Sequence, residues 1–262
     1  MSNLPASDNE SEKTALSRGP RRTPRIVRVL QWLFATAFIG GIFAALAVLL
    51  VIEHYSAGLP STDQLNTYNP AVVTRLYAAD GKLMAEYAKE KRFFLPLSAI
   101  PKHVQQAFLS AEDKNFYSHQ GVDFMGTARA MRNNILNRGH SLAGGSTITQ
   151  QVVKNFLLSN EKSFERKIKE AILAYRISNS YSKEKILELY LNEIYLGQST
   201  YGVAAAAMTY FSKSLDQLTT EEAALLAALP KAPAYFDPAK NYARALERRN
   251  YVITRMREDG AI

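Results

Sequence analysis

One stretch of the chain constrains its fold more than any other. Val29 to Ile52 is a run of 24 residues without a charged side chain. A helix needs about 20 apolar residues to cross the hydrocarbon core of a bilayer. A secretory signal peptide has a shorter apolar region of about 7–15 residues and a small-residue cleavage site. The run therefore predicts an uncleaved transmembrane anchor.

The charges that flank this run predict its orientation. Residues 1–28 carry six basic and three acidic side chains, with five arginines crowded towards the apolar run, whereas Glu53 opens the other side. The positive-inside rule places the N-terminus in the cytoplasm and residues 53–262 across the membrane. Enzymes that consume cytoplasmic nucleotides are disfavoured there, and the sequence has no Walker loop or dinucleotide-binding glycine pattern.

Composition excludes several other classes of protein. The chain of 262 residues contains no cysteine, so it has no disulfide, thiolate metal site or cysteine nucleophile. Its four histidines show no metal-ligand spacing. The net charge is +8, of which residues 53–262 contribute +5. This mild excess suits an anionic membrane or a phosphate-bearing substrate better than a nucleic acid.

The pattern along the chain predicts four regions. They are a disordered cytoplasmic tail (1–28), the transmembrane anchor (29–52), a linker with a β-hairpin around Asp80-Gly81 (53–95) and a mainly α-helical domain (96–262). Predicted helices cover about 102–112, a segment from Thr147 onward capped by Ser146, 162–179, 183–196 ending at Gly197, and 220–229; the tail 240–262 also has a helical pattern.

The helix that follows Gly145 carries a polar stripe. At 100° per residue, Thr147, Gln151 and Lys154 fall on one narrow face near the N-terminus of the helix. Free N–H groups and the helix dipole at that end favour an anion. An ordinary solvated helix face is the alternative, and the spacing alone leaves both open.

The next helix offers a similar choice. Phe164, Ile168, Ile172 and Tyr175 form its predicted core stripe, with Arg166, Lys167 and Glu170 opposite. Arg166 and Glu170 are spaced as a surface i,i+4 pair, which is the simpler interpretation. The alternative interpretation is a functional one, in which Arg166 and Lys167 form a cationic clamp beside the carboxylate of Glu170.

Glu112 and Asp113 follow an apolar stretch and precede Phe116 and Tyr117. Adjacent acids at a helix end are usually solvated. A carboxylate among apolar groups has a raised pKa, which suits a general base. His119 alone is more often a packing or hydrogen-bonding residue than a catalyst.

Four motifs occur together in a fixed order. They are Glu112-Asp113-x-x-Phe116-x-x-His119-x-Gly121, Gly145-x-Thr147-Ile148-x-Gln150-Gln151-x-x-Lys154-Asn155, Arg166-Lys167-x-x-Glu170 and Lys185-Ile186-Leu187-Glu188-x-Tyr190-Leu191-Asn192. From about residue 70 onward the chain resembles the peptidoglycan glycosyltransferase domain of class A penicillin-binding proteins and their monofunctional relatives.

The resemblance implies a mainly α, lysozyme-like fold with a head and a smaller, membrane-facing jaw at about 122–142. It implies lipid II and the growing glycan chain as substrates, with Glu112 as catalytic base and Glu170 as the second essential carboxylate. Thr147, Gln151, Lys154, Arg166 and Lys167 correspond to residues that line the donor and its diphosphate, Asn155 belongs to the same motif, and Asp113, Phe116 and His119 shape the first motif. The implied location is the outer side of the bacterial inner membrane.

Other expectations concern what the chain lacks or binds. Short S-x-x-K matches such as Ser159-x-x-Lys162 lie inside the glycosyltransferase region, so we expect no penicillin-binding activity and regard a truncated bifunctional protein as one interpretation. No cofactor is expected to be required, although Mg²⁺ or Mn²⁺ could assist the diphosphate, and partners among other cell-wall synthesis proteins are left open. The rival functions are a lytic hydrolase on the same fold and a non-catalytic membrane scaffold.

Overall fold

The computed structural model describes residues 24–65, 74–80, 83–87, 91–136, 145–158 and 163–262. Most of the predicted cytoplasmic tail, part of the linker and residues 137–142 of the predicted jaw lie outside these ranges. The chain separates into two units, residues 1–52 and 53–262.

Helices dominate the described residues. They are α1 (Arg25–Ser56), α2 (Lys102–Glu112), α3 (Phe124–Leu136), α4 (Ile148–Leu157), α5 (Phe164–Ser180), α6 (Lys183–Glu193), α7 (Val203–Phe211), α8 (Thr220–Ala228) and α9 (Tyr242–Glu258). The prediction of a mainly α protein is confirmed.

The predicted apolar run lies within α1. This helix has 32 residues, none of them buried, and within the described part of the chain it is the one helix long and apolar enough to cross a membrane. It begins at Arg25, so the last residues of the predicted tail are helical.

Two small sheets accompany the helices. Strands β1 (Thr74–Tyr77) and β2 (Leu83–Tyr87) pair antiparallel and form the hairpin predicted around Asp80-Gly81. Strands β3 (Lys91–Arg92) and β4 (Thr200–Tyr201) pair in parallel, which the sequence did not predict. The side-chain amide of Asn192 fixes the segment after β3, since it donates to the carbonyl of Leu95 at 2.9 Å and accepts from its N–H at 2.8 Å.

Six helices build the core of the second unit. α2 packs against α8 and α9, α4 packs against α5 and α6, and α8 packs against α9. Apolar side chains from these helices form one cluster, of which Phe108, Val153, Leu187, Leu226 and Val252 are fully buried members. Because α2 and α4 both contribute to this core, the C-terminus of α2 and the N-terminus of α4 are held at fixed positions.

Three local predictions are wrong. Thr147, not Ser146, is the N-cap of α4, since its Oγ1 accepts from the N–H of Gln150 at 3.1 Å in a capping box. α6 ends at Glu193 rather than near 196, because the chain leaves the helix to form the Tyr195–Tyr201 bridge. Gly197 lies in that bridged loop, with a positive φ of 89°.

The third correction concerns the buried face of α5. On the face predicted to be apolar core, Phe164 is 82% accessible and Tyr175 is also exposed, while Ile168 and Ile172 are only partly buried. The buried face instead consists of Glu170, Leu173, Ala174 and Ile177. The error follows from Glu170: a carboxylate is rarely buried unless it is paired, and here two cations pair with it.

Candidate active site

Glu112 is the last residue of α2, and its neighbours come from distant parts of the chain. Its side chain is only 8% exposed. Gln151 Nε2 on α4 donates to its Oε2 at 2.7 Å, and Arg248 Nη2 on α9 lies 3.8 Å from its Oε1. Burial raises the pKa of Glu112 above its ordinary value, while the Gln151 hydrogen bond and the charges of Arg248, Lys231 and Lys154 act in the opposite direction. A buried carboxylate with one oxygen free of short hydrogen bonds from the described residues is suited to accept a proton.

Asp113 has a different environment from the adjacent Glu112. It is buried, its Oδ2 accepts from the backbone N–H of Ile148 at 3.0 Å, and both oxygens lie 3.0 Å from His119 Nε2. The anion at the N-terminus of α4 is therefore a carboxylate of the chain itself. Asp113 and the Thr147 cap occupy the N–H groups of Ile148 and Gln150, and the binding of a ligand anion along the Thr147, Gln151 and Lys154 stripe stays a prediction.

Phe116 and His119 support the loop between α2 and α3. Phe116 is fully buried, and Lys183 Nζ lies 4.7 Å from the centre of its ring. The same ammonium donates to the carbonyl of His119 at 2.6 Å. These contacts give Phe116 and His119 a structural role around Asp113, and a contact with substrate stays a prediction.

Thr147 ties α4 to this loop. Besides capping the helix, its Oγ1 donates to the carbonyl of Gly121 at 2.6 Å. Gly121 has a φ of +86°, and a Cβ placed there would lie 2.2 Å from the carbonyl oxygen of Ala174 on α5. The loop therefore passes α5 at a distance that only glycine permits.

We expect Gly121→Ala to destabilise the fold by about 2–4 kcal/mol, because it adds a backbone clash to a left-handed conformation. Gly260→Ala is the matched control: Gly260 has a φ of +73°, and no atom lies within 4 Å of the position that a Cβ would take. The Gly260→Ala variant therefore measures only the cost of placing alanine in a left-handed conformation, about 1–2 kcal/mol of unfolding free energy. Chemical denaturation of both variants measures the difference, and equal losses would refute the close-approach argument.

Three cations and one carboxylate lie together on α4 and α5. Glu170 is buried, with its Oε1 3.0 Å from Arg166 Nε and its Oε2 accepting from Lys167 Nζ at 2.9 Å. Lys167 Nζ also donates to Ser146 Oγ at 2.9 Å, which joins α5 to the turn before α4. Burial, Arg166 and Lys167 lower the pKa of Lys154, while Glu170 and Glu112 act the other way. Glu170 is therefore not part of a solvated surface pair, and the role of these cations as a clamp for a substrate stays a prediction.

These four residues, Lys154, Arg166, Lys167 and Glu170, form what we call the cationic cluster. Its net charge is positive, since one carboxylate balances only one of the three cations. Glu170 is enclosed by its partners, so its geometry favours holding the cations over touching a substrate. Lys154 Nζ makes no hydrogen bond or ion pair with any residue that the structure describes, which leaves its donors available to a ligand.

Glu112 is one of the residues that line an open cleft of about 240 Å³. It lies between the C-terminus of α2, α3, the turn at Gly145–Thr147 and α9. Its basic lining residues are Lys114, Arg129 and Arg255, none of which the sequence motifs singled out. Asn155 is exposed on α4 and is not among the residues that line this cleft.

The described residues include no group of three His, Asp or Glu side chains arranged to bind a metal ion. The carboxylates of the site are instead paired within the protein: Asp113 with His119, and Glu170 with Arg166 and Lys167.

Comparison with known proteins places the chain in a family. The family model described as transglycosylase matches residues 80–257. The penicillin-binding protein 1A of Rickettsia bellii is 57% identical over 217 residues, which are 82% of this chain and 27% of the relative. That of Neisseria flavescens is 47% identical over 226 residues, 86% of this chain and 28% of the relative.

A crystal structure of penicillin-binding protein 1A from Haemophilus influenzae is 30% identical, with a TM-score of 0.41, over 74% of this chain and 19% of that one. The chain thus spans little more than a quarter of the length of the curated relatives it matches. Because the family model covers more than half of the chain, including every residue of the site described above, the chain belongs to the transglycosylase family.

Proposed function

We propose that residues 96–262 form a peptidoglycan glycosyltransferase that polymerises lipid II into β-1,4-linked glycan and releases undecaprenyl diphosphate. The observation that carries the proposal is the juxtaposition of a buried, proton-accepting carboxylate, Glu112, with the cationic cluster. Membership of the transglycosylase family supports the same reaction.

The carboxylate suits the acceptor. A sugar 4-hydroxyl is a poor nucleophile and needs a base positioned to take its proton in the transition state. Glu112 Oε2 is engaged by Gln151, whereas Oε1 faces Arg248 only at 3.8 Å and so has no short hydrogen bond from it. Direct displacement at the anomeric carbon converts an α-linked diphosphate to a β bond, with inversion.

The cations suit the donor. A diphosphate is already a good leaving group, so it needs positive charge for its developing negative charge more than it needs a strong acid. Lys154 and its neighbours Arg166 and Lys167 supply that charge without a resident metal ion. The ring of contacts around Glu170 keeps the two α5 cations in place.

The same contacts argue against a lytic hydrolase. A glycosidase uses two carboxylates that flank the scissile bond, one of them a proton donor. Both carboxylate oxygens of Glu170 are engaged by Arg166 and Lys167, so this side chain is not placed to flank a scissile bond. A finished glycan strand also has no diphosphate for the cationic cluster to bind.

The membrane completes the proposal. α1 would anchor the chain in the bacterial inner membrane with its N-terminus in the cytoplasm and the catalytic domain outside, by the positive-inside rule. On α3 the large apolar side chains Phe124, Met125, Met131, Ile135 and Leu136 are exposed. Lipid II keeps its polyprenyl tail in the bilayer, so we assign α3, within the predicted jaw, to contact with lipid. Other cell-wall synthesis proteins remain candidate partners, and nucleic acid does not.

Labelled lipid II in detergent micelles separates the candidate functions. The proposal predicts a ladder of glycan polymer from the purified chain, in the presence of EDTA as well as in its absence. A hydrolase would release soluble fragments from finished peptidoglycan and leave lipid II unpolymerised. A scaffold would do neither, and that result from folded protein would overturn the proposal.

A further inference from the structure

Arg248 is the one charged residue on the buried stripe of α9. The other members of that stripe are Ala245, Val252 and Met256. Arg248 itself is 0% exposed. An isolated buried charge is costly, so a fully enclosed guanidinium needs a compensating anion or a polar role.

The compensating anion is Glu112. Arg248 Nη2 lies 3.8 Å from Glu112 Oε1, and both side chains are shielded from solvent by the packing of α2 against α8 and α9. This distance is within ion-pair range but beyond a short hydrogen bond. The guanidinium therefore acts on the carboxylate through its charge without occupying the lone pairs of Oε1.

We propose that Arg248 is a positioning residue of this site: its buried guanidinium lies against Glu112 and favours the carboxylate form while leaving Oε1 open to the acceptor hydroxyl. The inference rests on the proposed function. In the step it serves, the hydroxyl proton passes to Glu112 Oε1 as the hydroxyl oxygen bonds to the anomeric carbon. The bond from that carbon to the diphosphate oxygen breaks, and the diphosphate leaves with the electron pair.

Other groups also face Glu112. They are Gln151 and Lys154 from α4, Lys231 from the segment between α8 and α9, and Tyr190 from α6, while Asp113 is adjacent in the chain. Burial raises the pKa of Glu112 and the positive groups lower it; among the charged groups, Arg248 has the largest lowering effect. Removal of Arg248 therefore raises the pKa, so a larger fraction of the base is protonated at a given acidic pH.

The alternative is a packing role. The guanidinium carbon of Arg248 lies 4.8 Å from the centre of the Tyr251 ring and 6.0 Å from that of Phe236. If these contacts were its whole purpose, substitution would reduce stability and overall activity but would leave the shape of the pH profile unchanged.

The test is the pH dependence of kcat/KM for lipid II polymerisation by the full chain in detergent. Its acidic limb reports the base of the free enzyme. We expect Arg248→Gln to move this limb upward by about one pH unit or more, since an opposite charge at this range lowers a carboxyl pKa by about 1–3 units. At pH values below the shifted pKa, kcat/KM should be about tenfold lower than in the unchanged protein, and at higher pH it should change little. Arg248→Lys keeps the charge, so its acidic limb should lie close to that of the unchanged protein.

Arg249→Gln is the matched control, because Arg249 is the adjacent arginine, is partly exposed and pairs with Asn250. The acidic limb of this variant should coincide with that of the unchanged protein. Thermal unfolding accompanies each profile. Arg248→Met, which keeps most of the side-chain volume, decides the question if Arg248→Gln does not fold. A folded, charge-removing variant whose limb is unmoved overturns the inference. Failure of the unchanged protein to make polymer would instead overturn the proposed function.

Discussion

Glu112→Gln is expected to reduce the rate of lipid II polymerisation by about 10²–10⁴-fold, the usual contribution of a general base. The substitution keeps the size of the side chain and an oxygen that can accept the Gln151 hydrogen bond. It removes the ability to take a proton from the acceptor hydroxyl. Initial rates with labelled lipid II, measured on wild-type and variant protein purified in parallel, give the ratio.

The fold should survive this change. The variant loses the anion that faces Arg248, but it also no longer buries a carboxylate, and these two effects oppose each other. Glu247→Gln is the control, because Glu247 is an exposed carboxylate on the same helix as Arg248; we expect it to leave the rate unchanged. A folded Glu112→Gln protein that retains more than about a tenth of the wild-type rate would remove Glu112 from the role of base.

Lys154→Ala should have the second-largest effect, a loss of about 10²–10³-fold in turnover. Lys154 is half-buried, and its positive charge acts close to both Glu112 and Glu170. A cation placed where the leaving diphosphate gains charge contributes about as much as an oxyanion-hole donor. Stability should change little, because Lys154 makes no ion pair with the described residues that would be lost.

Lys169→Ala controls for the loss of a lysine in the same region. Lys169 pairs with the exposed Glu165 on α5, so its removal should cost about 0.5 kcal/mol or less and leave turnover unchanged. Added Mg²⁺ or Mn²⁺ should partly restore Lys154→Ala, since a divalent ion can supply the missing charge at the diphosphate. Normal turnover by Lys154→Ala would show that the cationic cluster does not serve the leaving group.

The local parts of this fold were predictable because their signals are local. α2 begins and ends where the apolar pattern placed it, and the hairpin follows from two β-prone runs around Asp80. Glu112 was also identifiable, since its apolar context is visible in the sequence. The buried face of α5 could not be predicted in this way, because the burial of Glu170 depends on the two cations that pair with it. An analysis of hydrophobic periodicity assigns every carboxylate to the surface.

The long-range parts of the site were missed for a related reason. Arg248 and Lys231 reach Glu112 from more than 100 residues away, and no motif joins them to it. One signal was present: Arg248 lies at core spacing among Ala245, Val252 and Met256, where a charged residue needs a buried partner. The roles of Asp113 and Thr147 as helix caps likewise required the structure, because the spacing of these residues equally suits contact with a ligand.

The central claim is that Glu112 activates the acceptor while the diphosphate leaves, so that bond formation and release are one event. The most direct measurement is the ratio of undecaprenyl diphosphate released to β-1,4 bonds formed, followed over time with doubly labelled lipid II. The account predicts a ratio of about one in the wild-type protein, with both products lost together in Glu112→Gln. Continued release of undecaprenyl diphosphate by Glu112→Gln without bond formation would contradict it, because the donor would then be cleaved without an activated acceptor.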